Sequence, residues 1–147
     1  MIEARIHLPT PPGPARQEFL EMLAEVLVRS NHDWATREVE DGREPHCCIA
    51  CVRPRIRYTP PPGAAAGQRC QNFWPAPAVI QRGQATCLDA AAYDAGMARW
   101  EGKDAYVAFE DINGRDFHAV AVIDGKRVDS AQKLIDGMEK ERTKKWA

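Results

Sequence analysis

Three residue types that can share a nucleophilic displacement follow one another in the C-terminal half of the chain: Cys87, His118 and Asp129. A thiolate can attack a carbonyl carbon, an imidazole can move the proton, and a carboxylate can orient the imidazole. Such a set is defined by roles rather than by sequence position. Cys87 lies in Thr86-Cys87-Leu88-Asp89, a capping box with Asp in place of the usual Glu. A helix is therefore expected from Thr86 to about Trp100, closed by Glu101-Gly102. At its first position the free N–H groups and the helix dipole favour a thiolate and lower the thiol pKa. The same N–H groups can hold a developing oxyanion. The alternative for a lone cysteine here is a buried core thiol.

His118 sits in the strand-like run 117–123, and Lys126 to Asp129 reads as a second strand. Asp124-Gly125 between them is a two-residue hairpin signal. Ile123 should then pair with Lys126, and Val120 should lie opposite Asp129. Side chains alternate with period 2, so His118, Val120 and Asp129 share a face. Asp129 becomes the diagonal neighbour of His118, about 7–8 Å away between backbone positions. One ring nitrogen could bond Asp129 while the other faces the thiol. Asp116 is close and on the right face, Asp124 is at the turn, and Asp89 reads as a cap.

The order of these segments resembles that of transglutaminase-like, papain-related cysteine proteins. Gly83-Gln84-Ala85-Thr86-Cys87-Leu88-Asp89 followed by Ala90-Ala91-Ala92 resembles their nucleophile segment. Phe117-His118-Ala119-Val120 is similar to their histidine strand, and Lys126-Arg127-Val128-Asp129-Ser130 to their closing aspartate segment. A narrower likeness is to members encoded among tailed-phage virion genes. It is carried by Ile56-Arg57-Tyr58, Trp74, Val79-Ile80-Gln81-Arg82-Gly83, Leu134 and Gly137-Met138, and it covers roughly residues 50–138. Thr86, Leu88 and Ser130 depart from the residues usual there. The resemblance implies an α+β fold, with the Cys87 helix packed on an antiparallel sheet carrying His118 and Asp129. It implies acyl transfer as a peptidase, amidase or transglutaminase, on a protein or peptide substrate. Its other implication is a virion component that keeps the fold without the chemistry and binds other virion proteins. Gln81, six positions before Cys87, matches the offset of the oxyanion glutamine in papain-like enzymes; Gln84 and Trp74 are alternatives.

Composition narrows the partners. The 147 residues suit one domain, residues 1–147, with a Pro-rich arm over about 1–14 and a charged tail over about 139–147. With 20 basic and 21 acidic residues the net charge is -1, so no global field favours nucleic acid or an anionic membrane. Arg53, Arg55 and Arg57 could form a local patch, but a solvated strand edge explains them. No apolar run approaches the roughly 20 residues that span a bilayer, and the N-terminus lacks a signal-peptide pattern. Folding in a cytoplasm is expected from this; the resemblance implies a virion or host-cytoplasm location, and no cofactor is expected.

Among the remaining elements, residues 1–8 read as a short strand or arm, 9–14 as an extended Pro-rich linker, and 15–30 as an amphipathic helix ending near Ser30-Asn31. Residues 38–46 are a loop, 47–52 a buried strand or short helix, and 55–59 an edge strand. Residues 60–67 are a loop, 105–109 a strand, and the charged end a solvated helix or tail. Cys48 and Cys51 have Cys-x-x-Cys spacing, and His46 and Cys70 could complete a tetrahedral zinc site. A second compact pair is missing, so no metal is assigned. A disulfide from Cys70 to Cys47, Cys48 or Cys51 is an alternative under oxidising conditions. Buried thiols in an apolar segment are the reading retained.

Overall fold

The computed structural model describes residues 4–7, 14–60, 70–111 and 117–146. In chain order these form β1 (Ala4–His7), α1 (Pro14–Glu40), a 3₁₀ turn (Ile49–Cys51), β2 (Arg57–Tyr58), β3 (Cys70–Phe73) and α2 (Ala76–Arg82). There follow β4 (Gln84–Ala85), α3 (Cys87–Trp100), β5 (Ala105–Asp111), β6 (Phe117–Ile123), β7 (Lys126–Val128) and α4 (Ser130–Trp146). Strands β5, β6 and β7 make one antiparallel sheet in that order. β1 pairs with β3 antiparallel, and β2 pairs with β4 parallel. The class is α+β. The linker at 8–13, the loop at 61–69, Asp116 and the side chain of Cys70 lie outside the described residues.

The centre of the fold is α3. Every residue from Cys87 to Ala98 is buried, as a helix covered on all sides must be. On one side Ala91, Ala92 and Ala95 meet Ala24, Leu27 and Val28 of α1 and Val107, Ala119 and Ala121 of the sheet. On the other, Ala90, Tyr93 and Met97 meet Ile49, Val52, Ile56, Val79 and Leu134. Alanines let these neighbours approach closely, and Gly96 takes that to its limit. A Cβ on Gly96 would stand 2.6 Å from Asn31 Cβ and 3.1 Å from the Val28 carbonyl oxygen. Gly96→Ala should therefore push α1 off α3 and cost about 1–3 kcal/mol, the usual range for overpacking, measured by urea unfolding.

Helix α1 corrects the expected end at Ser30-Asn31, since it runs on to Glu40. Asn31 ends helices when its side chain turns back on its own backbone. Here that side chain is used elsewhere: it is fully buried, and Oδ1 accepts a hydrogen bond from Ala76 N–H at 2.7 Å. The added turns are covered because Ala35 and Trp34 pack into the second core. Pro14, expected in an extended linker, is the first residue of α1, where a missing N–H costs nothing. The charged end 139–145 lies inside α4, which begins earlier, at Ser130. Among the described residues no helix is long and apolar enough to cross a membrane.

Candidate active site

The hairpin sets the geometry. Asp124 and Gly125 both have positive φ, 50° and 78°, as a two-residue type I′ turn requires. The register is Ile123↔Lys126, Val122↔Arg127 and Ala121↔Val128, the one expected from Asp124-Gly125. Strand β7 then stops at Val128, and the chain turns into α4. Antiparallel ladders alternate, so the residues flanking a two-residue turn point their N–H and C=O groups at each other, as does every second residue beyond. The N–H of Ala119 is thus directed towards the β7 side, past the point where β7 ends. Cys87 faces this gap, and the N–H groups of Ala119 and Leu88 act on its sulfur to favour the charged form. The thiol therefore sits at the edge of the sheet against the residue that follows His118.

Asp129 does two things at once. It precedes α4, and Oδ1 accepts the N–H of Gln132 at 3.1 Å, the bond of an N-cap. Its Oδ2 lies 2.9 Å from His118 Nε2. The other ring nitrogen, Nδ1, is the one Asp129 leaves to other partners. Burial works to raise the Asp129 carboxyl. The His118 hydrogen bond, the Gln132 N–H and the His118 and Arg127 charges outweigh it and hold the group below its ordinary range. Arg127 lies 3.6 Å away and is shared with Glu110, which it meets at 2.7 Å.

The thiol differs from expectation. Cys87 is 2 % exposed. Burial pushes its pKa up, against the Ala119 and Leu88 N–H groups, and Asp89 and Asp129 push the same way. The helix start alone suggested a lowered value, but a helix start carries that effect only where solvent or a cation can share the charge. The net direction favours the protonated thiol.

Tyr58 also belongs to this region. It pairs with Ala85 in the β2–β4 register and packs on the core cluster that contains Cys87. Burial raises its phenol, and the Cys87 and Asp129 charges raise it further. The sequence signal was Ile56-Arg57-Tyr58, quoted above for its resemblance and not for a role.

The other candidates are dispersed. Gln81 is exposed on α2. Gln84 is half-buried, and its Oε1 accepts the Thr59 hydroxyl at 3.0 Å. Trp74 is half-buried, with the Arg82 guanidinium 3.9 Å from its ring centroid. Asp89 caps α3 reciprocally with Thr86 and also accepts the N–H of Trp74 at 2.9 Å. Burial pushes the Asp89 carboxyl up to about 6, against the Trp74 and Thr86 hydrogen bonds and the Arg82 charge.

Asp89 thus binds its proton more tightly folded than unfolded. Its contribution to stability is complete below its ordinary value of 3.8 and is lost as pH rises through about 6. Asp89→Asn removes this titration. Relative to the wild type, the variant should gain up to about 3 kcal/mol between pH 4 and pH 7.5. Urea midpoints of both proteins across that range provide the check, and a constant difference would contradict it.

The cysteines at 47–51 are not the buried thiols expected. Cys47 and Cys51 are exposed and Cys48 is half-buried, while Ile49 and Val52 turn inward. Of the three arginines, Arg53 caps the Ala50 and Val52 carbonyls and Arg55 pairs with Glu141 at 2.5 Å.

No protein-family model, no curated protein and no solved structure matches the chain.

Proposed function

We propose that this chain is a cysteine-dependent acyl-transfer enzyme with a transglutaminase-like, papain-related fold, in which Cys87 is the nucleophile, His118 the base and Asp129 the orienting acid. One observation carries the reading. The His118–Asp129 hydrogen bond of 2.9 Å starts one residue from Ala119, whose N–H acts on the Cys87 sulfur. Burial favours the protonated form of the Cys87 thiol, and His118 serves as the general base during attack. The imidazole takes the thiol proton as sulfur bonds to an amide carbonyl carbon. The C–N bond breaks, the amine leaves with that proton, and a thioester remains. Water then gives hydrolysis and an amine gives transamidation, with His118 again moving the proton and sulfur regaining one on release. The Ala119 and Leu88 N–H groups favour negative charge on sulfur through the cycle. The substrate is a protein or peptide amide, and the virion setting rests on the resemblance of residues 50–138.

A second reading has its own observation. With Cys87 only 2 % exposed, the thiol serves equally well as the plug of an unfinished sheet edge in a non-catalytic virion component. Asp129 separates the two. Asp129→Asn keeps an acceptor for the Gln132 N–H but would donate to His118 Nε2, forcing the proton onto Nδ1 and removing the base. Turnover of a peptide library should fall by orders of magnitude with stability held within about 0.5 kcal/mol. Asp129→Ala should lose the cap as well, about 1 kcal/mol. Turnover in Asp129→Asn equal to the wild type would refute the assigned role.

A further inference from the structure

A second group of thiols converges away from the Cys87 site. The sulfurs of Cys47, Cys48 and Cys51 lie within 4.8 Å of one another, and those of Cys48 and Cys51 are 2.8 Å apart. Free cysteines are usually buried, yet Cys47 and Cys51 are exposed. Core packing therefore does not explain the grouping.

The backbone beneath them is fixed. The N–H of Cys51 donates to the Cys48 carbonyl at 3.1 Å, and that of Val52 to the Ile49 carbonyl at 3.2 Å. Ile49 and Val52 are buried, and the Ile49 N–H is held by Asp94 Oδ1 at 2.7 Å. The two apolar side chains anchor the turn, and the three sulfurs gather around it.

We propose that Cys47, Cys48 and Cys51 form a three-thiolate site for one thiophilic d10 cation, Zn²⁺ or Cu⁺. Thiolate sulfur selects these ions over hard cations. A tetrahedral site with Zn–S bonds of about 2.3 Å holds its sulfurs about 3.8 Å apart, inside the span seen here. Three corners come from the thiols; among the described residues no further ligand joins them, and the fourth would take water or an outside ligand. A cation is held by thiolates, so binding releases protons. The bound ion would tie the turn through Ile49 and Asp94 to α3 and, through the Ser130 hydroxyl on the same carboxylate, to the start of α4. This proposal is independent of the Cys87 chemistry.

The test uses the full chain, reduced and kept free of oxygen. Titration with Co²⁺ should give a sulfur-to-cobalt charge-transfer band that saturates at one equivalent, and Zn²⁺ should abolish the band. Binding of one equivalent of Cu⁺ against a chromogenic chelator, without a cobalt band, would instead identify copper as the ion. Cys47→Ser and Cys51→Ser, both at exposed positions, should each weaken binding at least tenfold, while Cys87→Ser should leave it unchanged. Circular dichroism of each variant without metal checks that it folds. Three results would overturn the proposal: neither ion bound at one equivalent; a band that persists in the Cys47→Ser, Cys51→Ser double variant; or a chain two hydrogens lighter, with Cys48 and Cys51 joined, as the only form recovered.

Discussion

Cys87→Ser should abolish turnover of any peptide or amide substrate, a loss of several orders of magnitude, and leave the fold in place. The chemical half follows from the nucleophile. A serine hydroxyl is a far weaker acid than a thiol, and His118 in a site arranged around sulfur cannot compensate. The structural half follows from size and hydrogen bonding. Serine is smaller than cysteine, so the cavity is slight. Its hydroxyl can accept from the Ala119 and Leu88 N–H groups that act on the sulfur. Thermal unfolding should match the wild type, whereas turnover should not. Loss of folding in the variant, with no wild-type turnover on a broad library, would make the thiol a structural plug.

Asp94→Ala should be the most destabilising single change in the polar interior, by about 2–6 kcal/mol. That range is the sum of two buried donors left without partners. Asp94 is 3 % exposed. Oδ1 accepts the Ile49 N–H at 2.7 Å and Oδ2 accepts the Ser130 hydroxyl at 2.5 Å. One carboxylate on α3 thereby fixes both the turn at 49–51 and the first residue of α4. Burial pushes its pKa up, against the Ser130 and Ile49 bonds and the Lys133 charge. Ser130 adjoins Asp129, so the loss should reach the active site too. Reduced turnover should accompany reduced stability, and Asp94→Asn, which keeps an acceptor for Ile49, should lose less of both. Urea unfolding and kcat for the pair provide the check. An Asp94→Ala variant as stable as the wild type would contradict this assignment.

What could be read from the sequence was local and periodic. The Thr86–Asp89 capping box marks the start of α3, because a cap is satisfied within four residues. Asp124-Gly125 fixes the β6–β7 register, because few other residues accept two positive φ angles in succession. From that register the Asp129–His118 contact follows by counting. What could not be read depended on tertiary neighbours. Asn31 looks like a helix end until its amide is seen to hold the Ala76 N–H across the fold. The thiol pKa at Cys87 depends on burial by elements distant in sequence, and the local dipole argument gives the wrong sign. Asp129 as the N-cap of α4 was hidden by the same residue's place at the end of the hairpin. The apolar run 47–52 suggested burial throughout, yet in a single tight turn only Ile49 and Val52 can point inward.

The central claim is that His118 activates Cys87 for acylation, and a covalent trap tests it most directly. The protein is incubated at neutral pH with an activated acyl ester, then examined by intact mass and peptide mapping. Cys47 and Cys51 are exposed while Cys87 is buried, so accessibility alone favours the surface thiols. The account predicts one acyl group on Cys87, formed faster than on any other cysteine and slowed at least a hundredfold by His118→Ala. Acylation confined to Cys47 and Cys51, or a Cys87 rate unaffected by His118→Ala, would contradict it.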